Sequence, residues 1–158
     1  MSFNATAPSR TTSTPADAMT VTNDGFFPDI DLNQLRETMR LDGTVTAARL
    51  RSAAIEAVIA INNELAAWSK TQLAAGVIRL DEMLPKIGGE SVYLTRYRTA
   101  VYRTAKADLT ERYRDFDATP AGEAKADQLE GTIGDDRRAA RWAVRDILGL
   151  PRSTIELI

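Results

Sequence analysis

The side chains best placed to do chemistry in this sequence are carboxylates in pairs, Asp135 with Asp136 and Asp115 with Asp117. Such pairs hold magnesium or divide acid and base roles when a pocket desolvates them. On a charged helix surface they are solvated or neutralised by neighbouring arginines, and Arg137 and Arg138 follow the first pair directly. Nothing else in the chain supports catalysis. There is no His and no Cys, which removes the commonest general base, thiolate nucleophiles and sulfur-based zinc sites. Gly88-Gly89 lacks the flanking glycines and lysine of a phosphate-binding loop, and no Asp-rich loop has calcium-binding spacing. We expect no catalytic residue, no bound metal and no cofactor.

The remaining candidates are contact residues. Arg96, Arg103 and Arg114 fall within about 20° of one another on an ideal helix, on the side away from its apolar arc. This basic stripe is compatible with a solvated face, a salt-bridged subunit contact or a grip on nucleic acid phosphates. Trp142 stands off the apolar stripe of its helix, between Arg138 and Arg145, where a large aromatic needs cover. A partner subunit supplies such cover at interface hot spots; packing under the N-terminal arm or the first helix is the alternative.

The elements that position these residues are helical. With 158 residues, 44% apolar side chains and a net charge of −2, one domain with its own core is expected, and no whole-molecule field draws it to nucleic acid or membrane. No apolar run approaches the ~20 residues of a spanning helix, so an aqueous compartment, the cytoplasm, is expected. Residues 1–24, rich in Ser, Thr, Ala and Pro, read as a flexible arm. Phe26-Phe27-Pro28 should be an extended segment that pins it.

Four helices are expected over residues 25–150. Asp31 caps the first, with Gln34 completing a capping box, and Asp42-Gly43 stops it, with Gly43 in the left-handed position. Thr44 caps a second helix over about 45–75, whose stripe is Leu50, Ala54, Ala57, Val58, Ile61, Leu65 and Trp68, ended by Gly76. Residues 77–85 are too apolar for a free loop, so a packed connection with a helical turn near 81–84 is expected, followed by a flexible break at Gly88-Gly89. Ser91 or Glu90 opens a third helix to about Asp117 through Leu94, Tyr97, Val101, Ala105 and Leu109. Thr119-Pro120 opens a fourth, with Ala126, Leu129, Ile133, Ala140, Val144 and Ile147 on its stripe, bent or broken by Gly131 and Gly134 and ended at Gly149. Residues 151–158 form an extended tail. Thr154 to Ile158 alternates in the manner of a strand, Ile155, Leu157 and Ile158 being apolar, with no other convincing strand in the chain to pair with. The fold class is therefore all-α, a four-helix bundle-like domain with a flexible N-terminal arm and a strand-like C-terminal tail.

Three segments carry a resemblance: residues 90–102, residues 105–117 with Glu111-Arg112-Tyr113-Arg114-Asp115-Phe116-Asp117, and residues 135–149 with Ala140-Arg141-Trp142-Ala143-Val144-Arg145-Asp146-Ile147-Leu148-Gly149. The chain resembles the head completion, or head stabilisation, proteins of contractile-tailed temperate phages from about Phe26 onward. None of these segments is a catalytic motif. The resemblance implies a structural adaptor, made in the host cytoplasm and placed at the head-tail junction of the virion. It would form a ring beneath the portal protein, a dodecamer in step with portal symmetry, close the DNA-filled head and face a tail-side completion or terminator protein. On that picture Trp142 is a ring anchor, Arg96, Arg103 and Arg114 face a neighbour or the packaged DNA, and the tail from Arg152 through Ile155, Leu157 and Ile158 is a segment for edge pairing.

Overall fold

The computed structural model describes residues 19–114 and 120–152, with the backbone alone for 113–114 and 120–130. Four α-helices run through the described residues: α1 (Leu32–Thr38), α2 (Ala47–Ala74), α3 (Val92–Arg114) and α4 (Pro120–Leu148). Two very short antiparallel ladders accompany them. β1 (Thr20–Val21) pairs with β2 (Ile30–Asp31), and β3 (Lys86–Ile87) pairs with β4 (Glu90–Ser91). The all-α expectation holds, with α1 much shorter than the other three. No helix among the described residues is long and apolar enough to cross a membrane.

The apolar stripes read from the sequence meet in one core. Leu50, Ala54, Ala57, Val58, Ile61 and Leu65 of α2, Tyr97, Val101, Ala105 and Leu109 of α3, and Val144 and Ile147 of α4 are buried together. Helices α3 and α4 pack antiparallel along their length, with α2 against α3.

The N-terminal side of the domain differs from the expectation. Met19 to Asp24, assigned to the mobile arm by composition, are folded: Val21 is buried, β1 pairs with β2, and Arg51 of α2 donates to the Thr20 carbonyl at 2.7 Å. The expected extended run at Phe26-Phe27 is instead a bend, because the Asp24 carboxylate accepts from both backbone N–H groups at 3.1 and 3.0 Å. That bend sends Phe27 flat against Tyr97, with ring centroids 4.8 Å apart, and Phe26 edge-on to Trp68 at 6.0 Å.

A closed polar triangle sits beside these rings. The Tyr97 hydroxyl donates to Asn62 Oδ1 at 2.7 Å and accepts from Asn23 Nδ2 at 2.8 Å, while Asn62 Nδ2 donates to Asn23 Oδ1 at 2.8 Å. Tyr97 is wholly buried, so burial pushes its hydroxyl well above the ordinary tyrosine value, and it serves only as a neutral donor and acceptor. Segment 19–31, α2 and α3 are thereby tied at one point, and composition alone could not reveal it.

The caps refine the expected boundaries. Asp31 caps α1 as expected, accepting from Asn33 and Gln34 N–H, but Gln34 does not close a capping box: its Oε1 accepts from Tyr102. The left-handed residue after α1 is Arg40 (φ 52°), not Gly43, and the Leu41 N–H returns to the Arg36 carbonyl at 3.0 Å in a Schellman closure. Thr46, not Thr44, caps α2 by accepting from Arg49 N–H; Thr44 instead donates to Asp42. Gly76 and Gly149 end α2 and α4 as expected, with φ of 89° and 68°. Gly88-Gly89 is no flexible break but the two-residue turn of the β3–β4 hairpin, both residues at positive φ.

Gly131 and Gly134 neither break nor interrupt α4, which is continuous through both. A Cβ added at either would meet nothing within 4 Å, and neither has positive φ. Gly134→Ala and Gly131→Ala should each raise stability, by up to ~1 kcal/mol, because only the entropy cost of glycine is removed; a lowered melting temperature in both would contradict a continuous α4. Tyr97→Phe should cost about 1–2 kcal/mol in a denaturant titration, since it removes one bond each from the part-buried Asn23 and Asn62 side chains.

Candidate functional site

The seam between α3 and α4 takes up Arg96 and Arg103 of the three arginines singled out as candidates. Arg96 Nε lies 3.1 Å from Asp146 Oδ2, and Arg103 Nη1 lies 2.5 Å from Asp136 Oδ1. Lys106 Nζ approaches the other Asp136 oxygen at 3.6 Å, and Arg137 of α4 reaches back to Glu111 of α3 at 2.5 Å. The side of α3 carrying Arg96 and Arg103 is thus turned toward α4. These two arginines are engaged within the chain, whereas the side chain of Arg114 lies outside the described residues.

The carboxylate pair is split by helix geometry. Neighbours on a helix point about 100° apart. Asp136 is accordingly 2% exposed against Arg103 and Lys106, and Asp135 is 68% exposed in an ion pair with Arg138. Two carboxylates held in different environments by different cations do not form a shared metal cradle. Among the described residues no group of three or more acidic side chains is arranged to hold a metal ion. Asp115 and Asp117 lie outside the described residues.

Trp142 is half-buried, and two arginines of its own chain supply part of its cover. The guanidiniums of Arg138 and Arg152 lie 5.6 and 5.3 Å from its ring centroid, and residues 1–18 of the arm lie outside the described residues. Arg152 is held there by Asp146 through two bonds of 3.1 and 2.6 Å, and Arg145 Nε donates to the Pro151 carbonyl at 2.8 Å. The chain beyond α4 is therefore folded back along the helix by a clasp in which Asp146 serves both Arg152 and Arg96. The Arg152 guanidinium, and more weakly the charge of Arg96, holds the Asp146 carboxyl below the usual carboxylate range. Ile155, Leu157 and Ile158 lie outside the described residues.

One surface was not legible in the sequence. Residues 77–85 form the expected helical turn, at Leu80–Glu82, and Val77 packs partly against the core, but Ile78 and Leu84 are 71% and 74% exposed, as are Ile87 of the hairpin at 75% and Leu73 near the end of α2 at 49%. Only Leu80 of this stretch is buried, anchored by its N–H to the Phe26 carbonyl at 3.0 Å. The antiparallel course of α2 and α3, and of α3 and α4, brings the end of α2, the β3–β4 hairpin and the end of α4 to one end of the bundle, where Leu150 is also half exposed. This apolar end holds most of the exposed large aliphatic side chains among the described residues. The Gly88-Gly89 pair was the available signal for the hairpin; nothing local signals exposure.

Asp146→Asn should release Arg152 and bare Trp142, seen as stronger acrylamide quenching of its fluorescence, with Trp142→Phe identifying the signal. Because the folded-state pKa of Asp146 is depressed below 3.8, the clasp is fully formed above that value and is lost as pH falls through the lower one. Quenching that is unchanged by both the substitution and acid would contradict the clasp.

The phage head completion protein (GPL) family matches residues 21–158. The head completion/stabilization protein of Escherichia phage P2 is 43% identical over 143 residues, which cover 90% of this chain and 85% of that protein. No solved structure matches the chain. The match spans the folded domain from β1 onward, including the clasp and the apolar end, and on that extent the chain belongs to the family of phage head completion proteins.

Proposed function

We propose that this chain is a head-to-tail adaptor: it forms a ring beneath the portal protein, closes the DNA-filled head and presents a surface to a tail-side completion or terminator protein. The observation that carries this reading is the apolar end of the bundle, where Ile78, Leu84 and Ile87 lie more than two-thirds exposed. Contiguous apolar surface of this kind marks a site that another protein covers.

The ring is expected to follow the symmetry of the portal, a dodecamer built from one repeated heterologous contact. In this reading the arm before residue 19 and the tail after Arg152, through Ile155, Leu157 and Ile158, contact other subunits, with Trp142 the aromatic anchor at the root of the tail. Packaged DNA lies near such a ring, but a nucleic-acid grip by Arg96, Arg103 and Arg114 is weakened as an explanation. Two of the three are already neutralised by Asp146 and Asp136, which leaves little electrostatic footprint on α3.

Cosedimentation with isolated portal rings tests the proposal, with a chain truncated after Pro151 as the control. Saturable binding of the full chain, lost on truncation and weakened by Trp142→Ala with the helical content unchanged, is the expected result. Absence of binding by the full chain would overturn the adaptor reading.

A further inference from the structure

The exposed aliphatic side chains gather around a strand with a free edge. β3 pairs with β4 on one side only, and no strand among the described residues lies on the other. Ile87 and Glu90 flank the two-residue turn, and the Val92 N–H donates to the Pro85 carbonyl at 3.0 Å. In that ladder the Lys86–Ser91 pair is the one that shares no hydrogen bonds, so the Lys86 N–H and C=O point to the open side. The edge thus offers one donor, one acceptor, an exposed Lys86 side chain on one face, and the exposed Ile87 side chain on the other.

The chain carries a sequence of matching pattern. The six residues after Arg152 read Ser153-Thr154-Ile155-Glu156-Leu157-Ile158, in which Glu156 stands between two apolar residues. Setting Glu156 opposite Lys86 places an opposite charge across the pair and brings Leu157 or Ile155 to the face of Ile87. The direction in which the tail leaves decides whose edge it meets. Arg152 is held over Trp142 by Asp146, with Arg145 bonded to the Pro151 carbonyl, so the chain turns back along α4 and away from its own hairpin. Trp142 lies six residues, about 9 Å of helix, below Leu148. From there six extended residues span roughly 20 Å, enough to cross to an adjacent molecule.

We infer that the β3 edge and the apolar end around Ile78, Leu84 and Ile87 are the docking site for the C-terminal segment, residues 153–158, of a second copy of this chain. The tail adds a strand to β3 of the neighbour, Glu156 pairs with Lys86, and the aliphatic side chains of the segment cover the exposed apolar end. The contact is heterologous, each copy giving its tail to one neighbour and its hairpin to the other, which is the arrangement that closes into a ring. This inference rests on the adaptor reading for its setting and on the hairpin geometry for its content.

Because the chain has no Cys, two introduced thiols report the contact alone. A full-length chain carrying Ile87→Cys and Leu157→Cys is oxidised both free and bound to isolated portal rings, then run on a denaturing gel without reductant. A ladder of covalent dimers and higher multimers in either state is expected. It should be abolished by Lys86→Glu or by Glu156→Lys, and restored when both substitutions are present in one chain. A faster-migrating internally linked monomer, or no cross-link in both states, would overturn the inference. Portal cosedimentation of the same protein separates the two claims: binding without a ladder removes only the tail contact, and a ladder without portal binding removes only the portal role. Ile87 is three-quarters exposed, so its replacement leaves the core intact.

Discussion

Burying the Asp136 carboxylate between α3 and α4 commits both helices to one register. A carboxylate 2% exposed is tolerable only beside a cation, and Arg103 at 2.5 Å with Lys106 at 3.6 Å supplies that neutralisation. Arg96 with Asp146 and Glu111 with Arg137 repeat the contact toward the two ends of the seam. Apolar stripes alone would let antiparallel helices slide by a turn, since leucines and alanines pack in several registers. With the seam fixed, the end of α4 falls beside the start of α3, so that the tail root, the clasp on Trp142 and the β3–β4 hairpin share one region of the molecule.

The same seam explains which features of the sequence could be read and which could not. Periodicity placed the buried faces of α2, α3 and α4 correctly because a 3.6-residue repeat of large aliphatic side chains has one solution. Caps were legible where the side chain bonds its own helix, as at Asp31, and misplaced where it bonds the loop before it, as at Thr44. Arg40 took the left-handed position expected at Gly43 because Arg36 fastens the corner through the Asp42 and Val45 carbonyls, each at 2.8 Å. Composition misassigned Met19 to Asp24, since the bonds that hold Asn23 come from Asn62 and Tyr97, far away in sequence. The arginines of α3 looked like a surface stripe because a sequence shows the sign and spacing of charges but not the carboxylates that a second helix will bring to them.

Charged side chains that sequence spacing offered for contacts are largely spent inside the molecule, in the seam and in the clasp. What the folded domain leaves unsatisfied is apolar surface and a strand edge at one end of the bundle. Surfaces of that type hold partners through area and shape, with little dependence on salt.

The claim that the α3 arginines belong to the fold is tested most directly by a double-mutant cycle on Arg103→Gln and Asp136→Asn, with stabilities from denaturant unfolding. The seam predicts that each single change is destabilising and that the double variant is more stable than their sum implies, by roughly 1–3 kcal/mol. Effects that add to within about 0.5 kcal/mol would show the two side chains to be independent, and would return Arg103 to the surface as a candidate contact for another molecule.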